Sequence, residues 1–280
     1  MSQRTILITG VTGKQGGATA RHLANSGFTL RGMTRRPHSE EARALRNAGV
    51  EIVEGNLDDE ASLAQAVKGA WGVYAVQNTW EAGVENEEAQ GHRIARVAHA
   101  NGVERFVYAS VGSAHRKTGI PHFDNKARVE ETVRSLGFPS WAIVRPVFFM
   151  ENLTSPWFLN GDTIYAGMAP TTLLQMIAVD DIGKYGALAF TQADRLKNRA
   201  IDIAGDAVTM PTVAATFTQV FGRPINFVQV PLEEVRKNSE DFAIMLQWFG
   251  DVGYNADIAG NEREFGITPT TFAAWARTLA

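Results

Sequence analysis

Cysteine is absent from the 280 residues, which excludes a disulfide framework, a thiolate metal site and a cysteine nucleophile. Long apolar runs are missing too. No stretch approaches the roughly 18 uninterrupted apolar residues that a membrane-spanning helix needs, so a soluble chain is expected. Met1-Ser2-Gln3-Arg4 runs straight into Thr5-Ile6-Leu7-Ile8-Thr9-Gly10, too short and too quickly Gly-bearing for a secretory leader, and no cleavage is expected. Nor is there a large excess of one charge: 27 Lys and Arg against 30 Asp and Glu leave a net −3. General attraction to nucleic acid or anionic membrane is therefore lacking, and direct nucleic-acid binding is disfavoured. With 45% hydrophobic and 20% charged residues, disorder is excluded as the general state, and a cytoplasmic protein of one large or two small globular units is expected.

One local absence is more informative. Between Met1 and Ser39 there is no Asp or Glu but six Lys or Arg (Arg4, Lys14, Arg21, Arg31, Arg35, Arg36), so this stretch carries +6 and the remainder −9.

What is present is an alternation of short Val-, Ile-, Leu-, Phe- and Tyr-rich runs with longer segments of helical period, the pattern of a parallel sheet covered by helices. Strands are expected at 5–9, 28–34, 50–54, 71–76, 104–110 and 140–145, and crossover helices at 39–48, 59–69, 84–101 and 122–137. Several of these helices run into a glycine suited to a left-handed cap: Gly49, Gly69, Gly102 and Gly137. Gly16, Ala20, Leu23, Ala24 and Gly27 form a narrow stripe of small residues on a helix after the first strand. Beyond Pro146 the rhythm breaks. A strand, helix and strand at about 175–179, 181–191 and 199–204 are expected to return to the main sheet. The fold class is thus α/β, a Rossmann doubly wound parallel sheet with a smaller α+β carboxy-terminal lobe. The expected division is 1–150 for the Rossmann domain, completed by about 175–204, and 151–280 for the lobe.

Directly after the first strand comes Gly10-Val11-Thr12-Gly13-Lys14-Gln15-Gly16. Glycines at this spacing allow a tight turn, let backbone N–H groups approach a pyrophosphate, and place it at a helix N-terminus whose partial charge is positive. At the end of the second strand, where a NAD-specific site carries a carboxylate for the ribose 2′-hydroxyl, the chain reads Thr34-Arg35-Arg36. Two guanidinium groups there suit a 2′-phosphate, favouring NADP(H) over NAD(H); the plainer reading makes them solvated loop charges. Asn56 and Leu57 after the third strand lie where an adenine edge would be held, and Gln77-Asn78 ends the fourth. Asp58 and Asp59 read better as helix caps than as ligand groups. Phe148, Phe149 and Asn152 follow the sixth strand, where a nicotinamide would lie; the rings serve equally well as core.

The turn at Gly10–Gly16, Thr34-Arg35-Arg36-Pro37, Gln77-Asn78-Thr79-Trp80-Glu81, His122-Phe123-Asp124-Asn125-Lys126 and Glu151-Asn152-Leu153 together resemble the NmrA-like family of atypical short-chain dehydrogenase/reductases. The likeness is strongest over 1–155. It implies a Rossmann domain, NADP(H) binding and a small carboxy-terminal lobe. In fungal and animal relatives it implies a cofactor-sensing regulator, and in plant and bacterial ones a reductase of quinones, dyes or phenylpropanoids. Ordinary short-chain reductases use Ser, Tyr and Lys, with Tyr-x-x-x-Lys spacing. This chain has Ser110 and Lys126, but His122 stands in place of the Tyr. Catalytic candidates are therefore Lys126, which in Tyr-lacking cousins is the working group, His122 as a substitute acid, and Ser110. Lys126 is also expected to bind ribose. The incomplete triad favours a redox-sensing regulator that associates with itself or another protein; the alternative is an NADPH-dependent reductase of a small quinone-like or aromatic substrate.

Three weaker signals complete the sequence. Asp180-Asp181 reads as helix capping. The segment Gly112–Pro121 reads as a mobile loop over the cofactor cleft. Trp248, Phe249 and Tyr254 suit the lining of a pocket between lobes but read better as core, and no chemistry is assigned to them.

Overall fold

The protein is described by a computed structural model over residues 4–280. Its first elements are β1 (Thr5–Ile8), α1 (Lys14–Leu23), β2 (Thr29–Thr34), α2 (Glu40–Asn47), β3 (Glu51–Glu54), α3 (Glu60–Val67), β4 (Gly72–Ala75), α4 (Thr79–Ala82), α5 (Val84–Ala100), β5 (Arg105–Ala109), α6 (Pro121–Ser135) and β6 (Ser140–Pro146). There follow β7 (Phe148–Phe149), β8 (Leu159–Asn160), β9 (Thr163–Ala166), β10 (Leu174–Ile177), α7 (Val179–Thr191), β11 (Arg199–Ile203), β12 (Asp206–Val208), α8 (Met210–Phe221), β13 (Asn226–Gln229), α9 (Leu232–Arg236), α10 (Glu240–Asp251), α11 (Ile258–Phe265) and α12 (Phe272–Ala276). They form two compact units. The first holds the chain through Ser110 with Asn125–Arg145 and Ile182–Ile201; the second holds Val111–Asp124, Pro146–Asp181 and Asp202–Ala280.

In the first unit the strands order as β11-β6-β5-β4-β1-β2-β3, and the pairings from β3 through β6 are parallel. This is the Rossmann arrangement. Strand order reverses between β1 and β4, the point at which such sheets open a crevice at their carboxyl ends. Strands β4 and β5 are buried at every position, as a sheet covered on both faces requires. Leu7, Val73, Phe106 and Ile143 from the sheet pack with Ile94 and Val129 in one apolar cluster. Ser39, Asp59 and Asn78 cap α2, α3 and α4 by accepting from backbone N–H groups, which fixes where each crossover helix starts.

The small residues of α1 serve a helix as well as the sheet. A Cβ on Gly183 of α7 would lie 2.7 Å from the Ala18 backbone, and one on Gly186 would lie 2.4 Å from the Thr19 hydroxyl. The two helices therefore meet almost backbone to backbone.

In the second unit β12, β10 and β7 form one small sheet and β13, β9 and β8 another. Their apolar faces join Phe217, Phe272, Trp248, Phe249, Phe148 and Met176 in a single core. The sequence pattern placed 175–179 in the main sheet. Instead β10 pairs with β7, through Met176–Phe148, and with β12, while β11 takes the place beside β6. Both runs have strand composition, and composition does not say which edge a strand joins.

Two further expectations are corrected. Asp181 is a tether: its carboxylate, 1% exposed, accepts from the backbone and hydroxyl of Thr270 at 2.7 and 2.9 Å. The segment after β5 is pinned where a mobile loop was expected. Ser113 N–H donates to Asp202 at 2.7 Å, Arg116 to the Gly253 carbonyl at 2.9 Å, and the backbone N–H groups of Thr118 and Gly119 to Asp124.

Filling the α1–α7 contact tests this packing. Gly183→Val is expected to lower the urea midpoint by the equivalent of about 1–3 kcal/mol, the usual cost of overpacking, with an unchanged m-value. A wild-type midpoint would mean that the helices do not need this close approach.

Candidate functional site

The turn that leaves β1 is built from backbone contacts. Gly10 is left-handed at φ 57°, its carbonyl accepts from Gly13 N–H at 2.9 Å, and a Cβ on Gly16 would lie only 2.4 Å from that carbonyl oxygen. No other residue fits at 16 without moving backbone. Gly13 precedes α1 with no side-chain cap, and the first turn of α1 carries no acid. Thr12, Lys14 and Gln15 complete the turn, Lys14 being exposed. An uncapped helix start without nearby carboxylates is suited to an anion such as a diphosphate. Thr9, which sequence reading passed over, fixes the strand order reversal from inside: its hydroxyl donates to the Val76 carbonyl at 2.9 Å and accepts from Val76 N–H at 2.8 Å.

Along the carboxyl edge of the sheet, Arg35 and Arg36 follow β2 and are exposed. They are not equivalent. Arg35 forms an ion pair with Glu81, both side chains being 56% exposed, whereas Arg36 donates its backbone N–H to the Thr34 hydroxyl at 3.1 Å. Asn56 closes a local turn by accepting from Asp58 N–H at 3.1 Å, and the Leu57 carbonyl accepts from Arg93 at 2.6 Å. Of the two acids read as caps, Asp59 is one, while Asp58 accepts from Gln90 at 3.0 Å. Asn78 is occupied in capping α4. Gln77 is different: it is 5% exposed, yet neither the nitrogen nor the oxygen of its carboxamide has a hydrogen-bond partner among the described residues. Burying an amide without a hydrogen bond is costly. An orphaned amide after β4 thus fits a site completed by a polar ligand, as does the glycine turn, and both fit a dinucleotide.

Lys126 lies on α6 and is 9% exposed. Its ammonium donates to Glu87 Oε1 at 2.6 Å and stands 5.9 Å over the ring of Tyr108. Glu87, on α5, is 1% exposed, and its other oxygen accepts from the Thr79 hydroxyl and from Asn125 Nδ2. Burial pushes this carboxyl upward, but the charge and hydrogen bond of Lys126, with Thr79 and Asn125, outweigh burial and hold it below the ordinary carboxylate range. Tyr108 is no replacement for the missing phenol. Burial, then the charges of Glu87, Glu130 and Glu88, push its hydroxyl well above the usual tyrosine value.

Ser110 is not gathered to Lys126 by any hydrogen bond. Its hydroxyl donates to Glu130 Oε1 at 2.6 Å, and Glu130, one turn beyond Lys126 on α6, is held bidentately by Arg145 at 2.8 and 2.6 Å and by Arg134 at 2.7 Å. Burial raises the Glu130 carboxyl, but the Arg145 bonds and charge, then Ser110 and Arg134, bring it below the ordinary range.

The remaining candidates belong to the second unit. His122, in the first turn of α6 and 7% exposed, places Nδ1 against the Asp241 carboxylate of α10, which also accepts its backbone N–H at 3.1 Å. Phe148 packs edge-on against Phe158 and Phe249. Phe149 and Asn152 are half-buried. Trp248, Phe249 and Tyr254 pack mutually, and the last two also line an open cleft of about 640 Å³ within this unit. Among the described residues, no group of three or more His, Cys, Asp or Glu is placed to hold a metal, and no helix is long and apolar enough to cross a membrane.

Comparison with known proteins agrees with this architecture. The pattern of the NmrA-like family matches residues 2–276. A (4-alkanoyl-5-oxo-2,5-dihydrofuran-3-yl)methyl phosphate reductase of Streptomyces griseus is 31% identical over 237 residues, 82% of this chain and 79% of that one. Among solved structures, NmrA, a negative transcriptional regulator, in its NADP and NAD complexes, is 19% identical, with TM-scores of 0.81 and 0.82 over 99% of this chain and 95% of that one. The NADPH-dependent quinone oxidoreductase QOR2 of Escherichia coli, complexed with NADPH, is 20% identical, with a TM-score of 0.82 over 98% and 99% of the two chains.

The two buried carboxylates set an acid limit on stability. Their folded-state values lie below those of the unfolded chain, so the unfolded state binds more protons; stability is full above the ordinary carboxylate range and drains as pH falls through the folded values. Glu130→Gln leaves Arg145 buried without a counter-charge, and a loss of about 3–5 kcal/mol is expected at pH 7. Urea titrations from pH 7 to pH 3 are expected to fall less steeply in that variant than in the wild type. Equal slopes would assign the acid limit to other groups.

Proposed function

This chain belongs to the NmrA-like family, and on that premise we propose that it binds NADP(H) on its first unit and reduces a neutral conjugated carbonyl, a quinone or an enone. The observation that carries this reading is the Lys126 ammonium, almost buried and fixed at 2.6 Å from Glu87, without a phenol able to act as acid. Hydride addition to an isolated ketone creates a localised alkoxide, which needs a proton donor at once. Addition to a quinone or enone creates a delocalised oxyanion, which a fixed cation stabilises and solvent can protonate. A site holding the cation and lacking the acid suits the second reaction. The reductase of Streptomyces griseus, 31% identical, supports it.

The dinucleotide, when bound, supplies the hydride. The chain's residues do the rest. Backbone N–H groups of the Gly10–Gly16 turn, with Thr12, Lys14 and Gln15, hold the diphosphate. Thr34, Arg36 and, after giving up Glu81, Arg35 take the 2′-phosphate. Asn56 and Leu57 border the adenine, Gln77 and Asn78 the central part of the dinucleotide, and Lys126 the ribose next to the reacting ring. Phe148, Phe149, Asn152, His122 and Ser110 are secondary candidates in this assignment; Ser110 already bonds Glu130 and His122 already pairs with Asp241.

A regulatory reading is favoured by one observation: with the Ser110 hydroxyl bound to Glu130 at 2.6 Å, no Ser-Tyr-Lys set is assembled. In that case cofactor occupancy biases self-association or binding of a protein partner, by no more than the difference in cofactor affinity between conformations.

Two measurements separate these assignments. Calorimetry is expected to give Arg36→Ala a tenfold or greater loss of NADP(H) affinity and NAD(H) affinity within about twofold of wild type, since a phosphate contact is charge-assisted; equal losses would deny Arg36 the 2′-phosphate. NADPH absorbance followed over a panel of quinones and enones is expected to show turnover that Lys126→Ala lowers at least 100-fold, of the order lost when one oxyanion donor is removed. No consumption across the panel would leave the regulatory reading standing.

A further inference from the structure

We infer that Glu87 is the positioning residue for Lys126, holding its ammonium in place so that the two remaining N–H groups serve a bound ligand; this rests on the assignment of Lys126 to the ribose and the reacting carbonyl. An ammonium has three donors. Lys126 makes one hydrogen bond, to Glu87 Oε1 at 2.6 Å, although it is 9% exposed. Among the described residues the other two donors have no hydrogen-bond acceptor, and oxygens of a ligand satisfy them.

Glu87 is fitted for this role by its anchoring. Oε2 is bound by two neutral donors, the Thr79 hydroxyl and Asn125 Nδ2 at 2.9 Å, and Asn125 is itself braced on the Val84 carbonyl at 2.8 Å. Oε1 is left for the ammonium. The carboxylate cannot swing without breaking two bonds, so it sets direction as well as charge. The neighbouring Glu88 has no such part: it faces outward, paired bidentately with Arg128 at 2.6 Å.

The pair also narrows the ligand. Because Glu87 balances the charge of Lys126, a permanently anionic group at this point gains little, whereas a hydroxyl or a carbonyl that becomes anionic only during hydride transfer gains most where catalysis needs it. The fitting acceptor presents a neutral carbonyl oxygen here, not a carboxylate or a phosphate.

Glu87→Gln keeps the shape and an acceptor oxygen but removes the charge. NADPH affinity, measured by calorimetry from pH 6 to pH 10 on the whole protein, is expected to fall at least fivefold at pH 7, and its decline with rising pH to begin at least one pH unit earlier than in wild type. A merely structural role would lower the melting temperature and leave the pH profile in place, and that result overturns the inference. If Glu87→Gln does not fold, Thr79→Val decides: it keeps both charges and removes one anchor, so NADPH affinity is expected to fall about threefold without any displacement of the pH profile, and wild-type affinity overturns the inference. Turnover is scored separately. A wild type that reduces no quinone or enone, with the pH profile displaced in Glu87→Gln, removes the reductase reading and leaves the Glu87 role intact.

Discussion

The close approach of backbone to backbone where β1 turns into α1 is the constraint on which the first unit depends. With the Gly10 carbonyl 2.4 Å from where a Gly16 Cβ would stand, the helix starts directly after the strand end, and its first N–H groups carry no side-chain cap. Thr9 locks the same place laterally to β4 through Val76. The turn is thus defined by main chain, and on the proposed assignment side chains such as Arg36 and Lys126 only refine what it holds. The tight packing of α1 on α7 belongs to the same economy of small residues.

Much of the first unit was legible because its signals are local. Alternating apolar runs and glycine-closed helices placed β1 to β6 within a residue or two of where they stand. The tight turn between β1 and α1 was legible for the same reason, since three glycines between a strand and a helix have a steric meaning of their own. What the sequence concealed lies far apart along the chain. Glu87 meets Lys126 across 39 positions, and Asp241 meets His122 across 119; nothing in the spacing of either acid announces its partner. β10 was misassigned because strand propensity carries no address. The loop after β5 looked free because its own residues are polar and glycine-bearing, yet its anchors, Asp202 and Gly253, come from distant segments.

One face of α6 carries two buried charges, Lys126 and Glu130, and an exposed one, Arg134, that pairs with the second. Lys126, Glu130 and Arg134 succeed one another at four-residue intervals, so they line one stripe of the helix. The two buried ones find complements on other elements: Glu87 on α5 for Lys126, Arg145 on β6 and Ser110 after β5 for Glu130. Buried pairs of this kind contribute little net stability compared with apolar packing, but each is strongly destabilising when half removed. They act as registers: α6 cannot slide by a turn without stranding a charge. That fixes where Lys126 stands, whatever chemistry it serves.

The exposure of Arg35 and Glu81, against the burial of Lys126 and Glu87, carries a consequence for ionic conditions. At physiological salt the Debye length is about 8 Å, so the open cationic end of the crevice is screened by dissolved ions while the enclosed pair is not. On the proposed assignment, added electrolyte loosens the adenosine end of the nucleotide and spares the nicotinamide end. On that assignment a preference between phosphorylated and unphosphorylated dinucleotides is a property of the surrounding medium as much as of the polypeptide, narrowing in concentrated salt and widening in dilute.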